Sequence, residues 1–147
     1  MNVENRVYPD KGQIEEWMRP GPPGPVVMVN LLKFRERAAY PDGRDPGISG
    51  REAYGRYGEA FTRGLLEIGG RVLFVGDATY LQVGQAEQLW DEVAIVEYPS
   101  REVFFAMATS DRWREISVHR EAGLEGQLNI ETVPTEAFKA LAARTRG

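Results

Sequence analysis

Residues 26–34 form a short run that is apolar at every position except Asn30 and Lys33. The run is rich in β-branched residues, and it follows a turn of glycines and prolines at residues 21–25. A short apolar segment bounded by turn residues predicts a strand. Because apolar side chains point to both of its sides, the strand is expected to be buried on both faces. Any fold for this chain must therefore cover both sides of the sheet that contains it.

Hydrophobic periodicity predicts the elements around this strand. Strands are expected at 71–84, 90–98 and 127–133, and helices at 10–19, 50–68 (behind a capping box of Ser49 and Glu52), from Ser100, at 110–123 and from 134 onward. Residues 35–48 are polar and are expected to be a loop. The main order is β-α-β-β-α-β with one extra helix at each end, which predicts an α+β, ferredoxin-like fold with a four-stranded antiparallel sheet. A chain of 147 residues is expected to be one domain, 1–147.

In this fold the helices cover only one face of the sheet. The first strand nevertheless carries apolar residues on both sides, with Val27, Val29 and Leu31 on one and Met28, Leu32 and Phe34 on the other. A second copy of the same sheet is the simplest cover for the remaining face. The sequence therefore predicts a homodimer with its sheets packed face to face.

Composition excludes several classes of function. The chain has no cysteine and a single histidine, His119, so a thiol nucleophile, a disulfide or a cysteine-rich metal site is impossible, and no metal or cofactor is expected. The net charge of −4 argues against a nucleic-acid partner. No apolar run is long enough to span a membrane, and the N-terminus shows no signal-peptide pattern. A cytoplasmic protein without a membrane or nucleic-acid partner is therefore expected.

Two residues are candidates for catalysis. Asn30 is the uncharged polar residue of the apolar strand, and its amide is suited to orient or polarise a bound carbonyl or phenol; the alternative is a buried amide satisfied by its neighbours. His119 lies late in the helix at 110–123 and is a candidate general base. Its alternative is a structural histidine at the helix C-terminus, or one bonded to Glu115.

Other residues are candidates for holding a substrate. Tyr54 and Tyr57 lie on the apolar face of their helix, where a hydroxyl can serve a ligand or simply complete the packing of the ring. Trp113 is a further candidate, and Arg120 is suited to hold an anionic group unless it forms an ordinary salt bridge. Acidic residues flank the strand at 90–98 and are interpreted as charges near solvent, namely Asp91, Glu92 and Glu97.

Three stretches together, at 27–34, 90–101 and 119–124, resemble domain-of-unknown-function family 1330 of the dimeric α+β barrel superfamily. The resemblance covers about residues 24–133 and leaves the terminal helices outside. It implies a ferredoxin-like fold and a dimer whose two sheets form a barrel. It supplies no activity, because the family itself has no known function, and fold alone does not define one.

The resemblance leaves three functions open. The superfamily includes monooxygenases and isomerases without cofactors, so a cleft that binds a small apolar or aromatic molecule is the first expectation, with Asn30 placing the substrate and His119 taking the proton. A non-catalytic ligand-binding or structural dimer is the alternative. Heme binding or degradation is the second alternative. Heme-degrading members carry an Asn, a Trp and a His, and Asn30, Trp113 and His119 match them in type. The six-residue spacing between Trp113 and His119 is short for those enzymes.

Overall fold

A computed structural model describes residues 1–145 of the chain. Five helices and four strands follow one another as α1 (Lys11–Trp17), β1 (Val26–Phe34), α2 (Gly50–Glu67), β2 (Arg71–Asp77), β3 (Glu92–Tyr98), α3 (Arg101–Ala108), α4 (Asp111–Gly123), β4 (Leu124–Thr132) and α5 (Glu136–Thr145). Serine side chains cap α2, α3 and α4, and Ser49 and Glu52 form the predicted capping box.

The four strands form one antiparallel sheet in the order β2-β3-β1-β4. The apolar strand β1 lies in the interior of the sheet, where Asn30 is paired with Ala94 on one side and with Asn129 on the other. This is the predicted ferredoxin-like arrangement. Two boundaries differ from prediction: β2 ends at Asp77 instead of reaching residue 84, and β4 begins at Leu124, directly after α4.

Both differences have a physical cause. After Asp77 the chain leaves the sheet through an exposed loop that contains Gly84 at a φ of 104°, a conformation that a strand does not use. At β4 the helix needs no linker, because the Gly123 carbonyl accepts a hydrogen bond from the Arg35 amide at the end of β1. The chain is thus joined to the sheet from the first residue after the helix.

The core lies between the sheet and its helices. The even-numbered residues of β1 face α2 and α4, and its buried apolar members are Val26, Met28, Leu32 and Phe34. The two helices approach closely where Gly50 and Gly123 meet, since a Cβ atom on either glycine would collide with the backbone oxygen of the other. This close approach sets the distance between α2 and α4, and so shapes the space beneath them.

The opposite face of the sheet is apolar and open in the protomer. Strand register aligns Phe74, Ile95, Val29 and Ile130 in one row across all four strands, and Val93, Leu31 and Leu128 in the next. Phe74 is 55% exposed and Ile130 is 48% exposed. The two-sided apolar character of β1 therefore reflects two different surroundings, the helices on one face and an uncovered apolar surface on the other.

Candidate functional site

A large cleft lies between the helix-facing side of the sheet and helices α2 and α4. Its volume is about 1060 Å³, and Glu4 and residues 6–10 of the N-terminal segment border it. The predicted residues Asn30, Tyr54, Tyr57, Trp113 and Arg120 all line this cleft. Ligand sites in proteins are concave, mostly apolar and carry a few polar groups, and the cleft has this character.

The floor of the cleft carries amide side chains among apolar ones. Asn30 donates a hydrogen bond from Nδ2 to the Ala94 carbonyl of the neighbouring strand at 3.2 Å. Its amide oxygen is left to accept a bond from a molecule in the cleft. Asn129 lies opposite Asn30 in the register and also lines the cleft. Sequence reasoning missed Asn129, although it is a polar residue within a predicted strand.

An aromatic wall faces this floor. The rings of Tyr54 and Tyr57 are 5.3 Å apart and those of Tyr57 and Phe61 are stacked at 5.5 Å. Trp113 of α4 joins the wall by donating a hydrogen bond from Nε1 to the Tyr57 hydroxyl at 3.1 Å. Burial raises the pKa of both tyrosines, so they stay protonated at neutral pH. Because the Tyr57 oxygen accepts from Trp113, its own proton remains available for another acceptor.

Arg120 is the deepest charged residue of the cleft. The residue is 6% exposed, and its Nη2 donates to the carbonyl of Val7 at 2.6 Å. The guanidinium lies 5.4 Å from the ring of Tyr8 and 5.8 Å from that of Trp113. Its second terminal nitrogen, Nη1, is buried and finds no hydrogen-bond partner in the described part of the chain, residues 1–145. Burial lowers the pKa of Arg120, but a guanidinium remains charged in proteins, so a positive charge is held at this position.

Glu92 also belongs to the cleft, which corrects its interpretation as a charge near solvent. Its side chain is only 17% exposed, and Arg51 of α2 binds it at 3.1 Å. Burial raises the pKa of the Glu92 carboxyl, and Arg51 partly offsets this effect. The strand alternation that places Glu92 on the same face as Ala94 was the available signal for this position.

His119 lies outside the cleft, and the predicted joint site with Asn30 is not formed in the protomer. Its Nδ1 is 2.7 Å from the Tyr40 hydroxyl, which also accepts a bond from Arg56 at 3.3 Å. The hydroxyl proton is free to point at Nδ1, and in that arrangement the imidazole carries its own proton on Nε2. Burial first, and then Arg56 and Arg44, lower the pKa of His119. At neutral pH the imidazole is therefore uncharged.

The helical repeat explains this outcome. Trp113 and Arg120 are seven residues apart in α4 and so share one face, whereas consecutive residues are rotated by about 100° around the axis. His119 consequently turns away from the face that carries Arg120. The heme-degrading arrangement expected from Asn30, Trp113 and His119 is broken in the same way, since only the first two line the cleft.

Metal sites and membrane-spanning helices are both absent from residues 1–145. No group of three or more His, Asp or Glu side chains converges there in a way that would hold a metal ion. Among the same residues, no helix combines the length and apolar character that crossing a membrane requires.

The chain is similar to one family and to several solved structures that are described as of unknown function. The model of a family described as "Domain of unknown function (DUF1330)" matches residues 47–132. No curated protein matches the chain. Among solved structures, a protein of unknown function from Rhodopseudomonas palustris is 32% identical with a TM-score of 0.81, covering 90% of this chain and 99% of that one. Its methylated form is 34% identical with a TM-score of 0.82, covering 91% and 98%.

A third solved structure is more distantly similar to this chain. A protein of unknown function from Bacteroides fragilis, described as dimeric and ferredoxin-like, is 14% identical to this chain with a TM-score of 0.47. The match covers 74% of this chain and 94% of that protein.

Proposed function

The chain belongs to the DUF1330 family, and we propose that, as a member of this family, it binds a small planar organic molecule in the cleft between its sheet and helices α2 and α4. The observation that carries the proposal is the aromatic wall of Tyr54, Tyr57, Phe61 and Trp113, which faces a largely apolar floor across a space of about 1060 Å³. Aromatic side chains favour stacked or edge-on contacts with other rings.

Polar groups in the cleft support recognition of a substituted ring. The Asn30 amide oxygen is a hydrogen-bond acceptor, and the Tyr57 hydroxyl is a donor. A few such groups within an apolar pocket fix the orientation of a ligand. A phenol on an aromatic ring satisfies both groups, because its hydroxyl donates to the Asn30 oxygen and accepts from Tyr57, whereas a ring carbonyl accepts from Tyr57 alone.

An enzymatic use of the cleft, by isomerisation or oxygenation without a cofactor, requires a group that takes a proton from the bound molecule. Glu92 fits this requirement better than His119, because it lines the cleft and burial moves its pKa toward neutrality. Binding without catalysis requires no such group.

The protein is also proposed to act as a homodimer through the open face of its sheet. Two adjacent apolar rows cross that face, and residues such as Ile130 and Phe74 are about half exposed on it. Apolar patches of this kind on soluble proteins mark interaction surfaces. A two-fold axis through the sheet would pack each apolar row against the same row of a second copy. The apolar rows of both copies would then be buried.

Binding to the cleft is testable with naphthalene carboxamide, a neutral aromatic probe. We expect calorimetry to show one site per protomer with a Kd on the order of 1 mM or below. The binding free energy per non-hydrogen atom of small ligands allows this affinity. Gly58→Leu should weaken binding by about 1–3 kcal/mol, because a side chain at Gly58 enters the cleft where no atom lies within 4 Å of its Cβ position.

Gly47→Leu is the matched control. A Cβ atom at Gly47 likewise meets nothing within 4 Å, but this glycine does not line the cleft, so its variant should bind as the wild type does. Equal affinity of the Gly58 variant and the wild type would refute the cleft as the binding site, as would the absence of binding by the wild type.

A further inference from the structure

The buried charge of Arg120 has no carboxylate partner among residues 1–145. Within residues 1–145, four arginines line the cleft, and three of them are ion-paired: Arg6 with Glu4 and Asp10, Arg51 with Asp77 and Glu92, and Arg101 with Glu131 and Glu16. The fourth, Arg120, is the most deeply buried, and its one recorded hydrogen bond goes to a backbone carbonyl. The arginine with the greatest need of a counter-ion is therefore the one without it.

Burial makes this arrangement unfavourable without a partner. An isolated charge removed from water is destabilising unless an opposite charge or hydrogen bonds compensate it. The Val7 carbonyl satisfies one terminal nitrogen and leaves Nη1 unsatisfied. The aromatic faces of Tyr8 and Trp113 stabilise the cation in part, but they accept no hydrogen bond in its plane.

We propose that Arg120 anchors the carboxylate of an aromatic acid bound in the cleft. This inference rests on the proposed function and names the class of its ligand. A guanidinium matches a carboxylate in both charge and planar geometry. A monoanion fits better than a polyanion such as a phosphate ester, because the other arginines that line the cleft are already neutralised by carboxylates.

The N-terminal segment covers this anchor. Nη1 lies beneath the surface, and Val7 and Tyr8 are the neighbours that the segment contributes. Tyr8 is 46% exposed, so its ring has room to move aside. A carboxylate that enters from the cleft thus reaches Arg120 by displacing the Tyr8 ring, while Trp113 continues to pack against the guanidinium.

The test compares naphthalene carboxylate with naphthalene carboxamide, two probes of the same shape that differ in charge. At neutral pH the wild type should bind the carboxylate about tenfold to a hundredfold more tightly, the range expected for a charge-assisted hydrogen bond. Arg120→Met should bind both probes with similar affinity. Arg6→Met, which removes an ion-paired arginine from the same cleft, should keep the wild-type preference.

Three outcomes separate this inference from the proposed function. Binding of both probes with no preference by the wild type would overturn the anchor and leave the aromatic cleft intact, whereas binding of neither would overturn both. Loss of preference in Arg120→Met with its carboxamide affinity unchanged supports the anchor.

Folding of the variant is checked by thermal unfolding, and its Tm should equal or exceed that of the wild type, because an uncompensated buried charge is removed. If Arg120→Met does not fold, Arg120→Lys decides: a smaller but persistent preference supports the anchor, and an unchanged preference opposes it.

Discussion

His119, which the sequence singles out as the lone histidine, lies apart from the cleft and contacts the loop before α2. The imidazole is held by the Tyr40 hydroxyl, and Arg56 and Arg44 lie near enough to oppose its protonation. A histidine with two positive neighbours and a hydroxyl donor is suited to remain neutral. In the protomer it joins the loop before α2 to helix α4 and does not contact the cleft.

The lowered pKa of His119 predicts how stability depends on pH. The unfolded chain protonates this residue near its ordinary pKa of about 6.5, whereas the folded chain does so only at lower pH. Between these two values the unfolded state binds more protons, so the contribution of His119 to stability is complete above about 6.5 and is lost as the pH falls toward the folded value. Urea unfolding at several pH values measures this contribution.

His119→Asn is the reference variant for this measurement, because its amide oxygen can still accept from Tyr40 but does not titrate in this range. As the pH falls below about 6.5, the free energy of unfolding of the wild type should decrease relative to that of the variant. A difference in unfolding free energy that stays constant across this pH range would contradict the lowered pKa of His119. A wild type that gains stability relative to the variant at low pH would show that the pKa is raised instead.

At the scale of single elements, local sequence predicted which segments form strands and helices. The apolar run of β1, the capping box before α2 and the periodicity of α4 each contain their own signal, and the structure confirms them. The predicted end of β2 was wrong, because the apolar residues that follow Asp77 belong to an exposed loop. Composition alone does not show where a strand leaves its sheet.

The candidate site was predictable in part. The positions of Tyr54, Tyr57 and Trp113 on apolar helix faces, and of Asn30 within an apolar strand, led to residues that line one cleft. The role of Asn129 depends on the register between β1 and β4, which the sequence does not reveal. The contact between Arg120 and Val7 joins residues 113 positions apart, and no local pattern predicts it.

At the scale of the whole molecule, the open sheet face predicts the oligomeric state. We expect the wild type to sediment as a dimer, and Ile130→Glu to weaken the dimer at least about a hundredfold, because the two-fold axis buries an unpaired carboxylate from each copy. Leu66→Glu, at a residue 63% exposed on the helical side, is the control and should remain dimeric. A monomeric wild type, or an unaffected Ile130 variant, would show that another surface covers this face.

The proposed ligand site and the proposed dimer surface lie on opposite sides of one sheet. The helix-facing side, with Asn30 in its floor, forms the cleft, while the opposite side offers the surface for a second copy. Binding and assembly can therefore be altered independently, since the variants at Gly58 and Arg120 lie on one side and that at Ile130 on the other.

The structure of the protein crystallised with naphthalene carboxylate tests the central claim most directly. The account predicts the ring in the cleft between Asn30 and the wall of Tyr57 and Trp113, with a carboxylate oxygen about 2.7–3.2 Å from a nitrogen of Arg120. A probe bound instead in the groove between α2, α3 and α4, or an unoccupied cleft at saturating concentration, would contradict it.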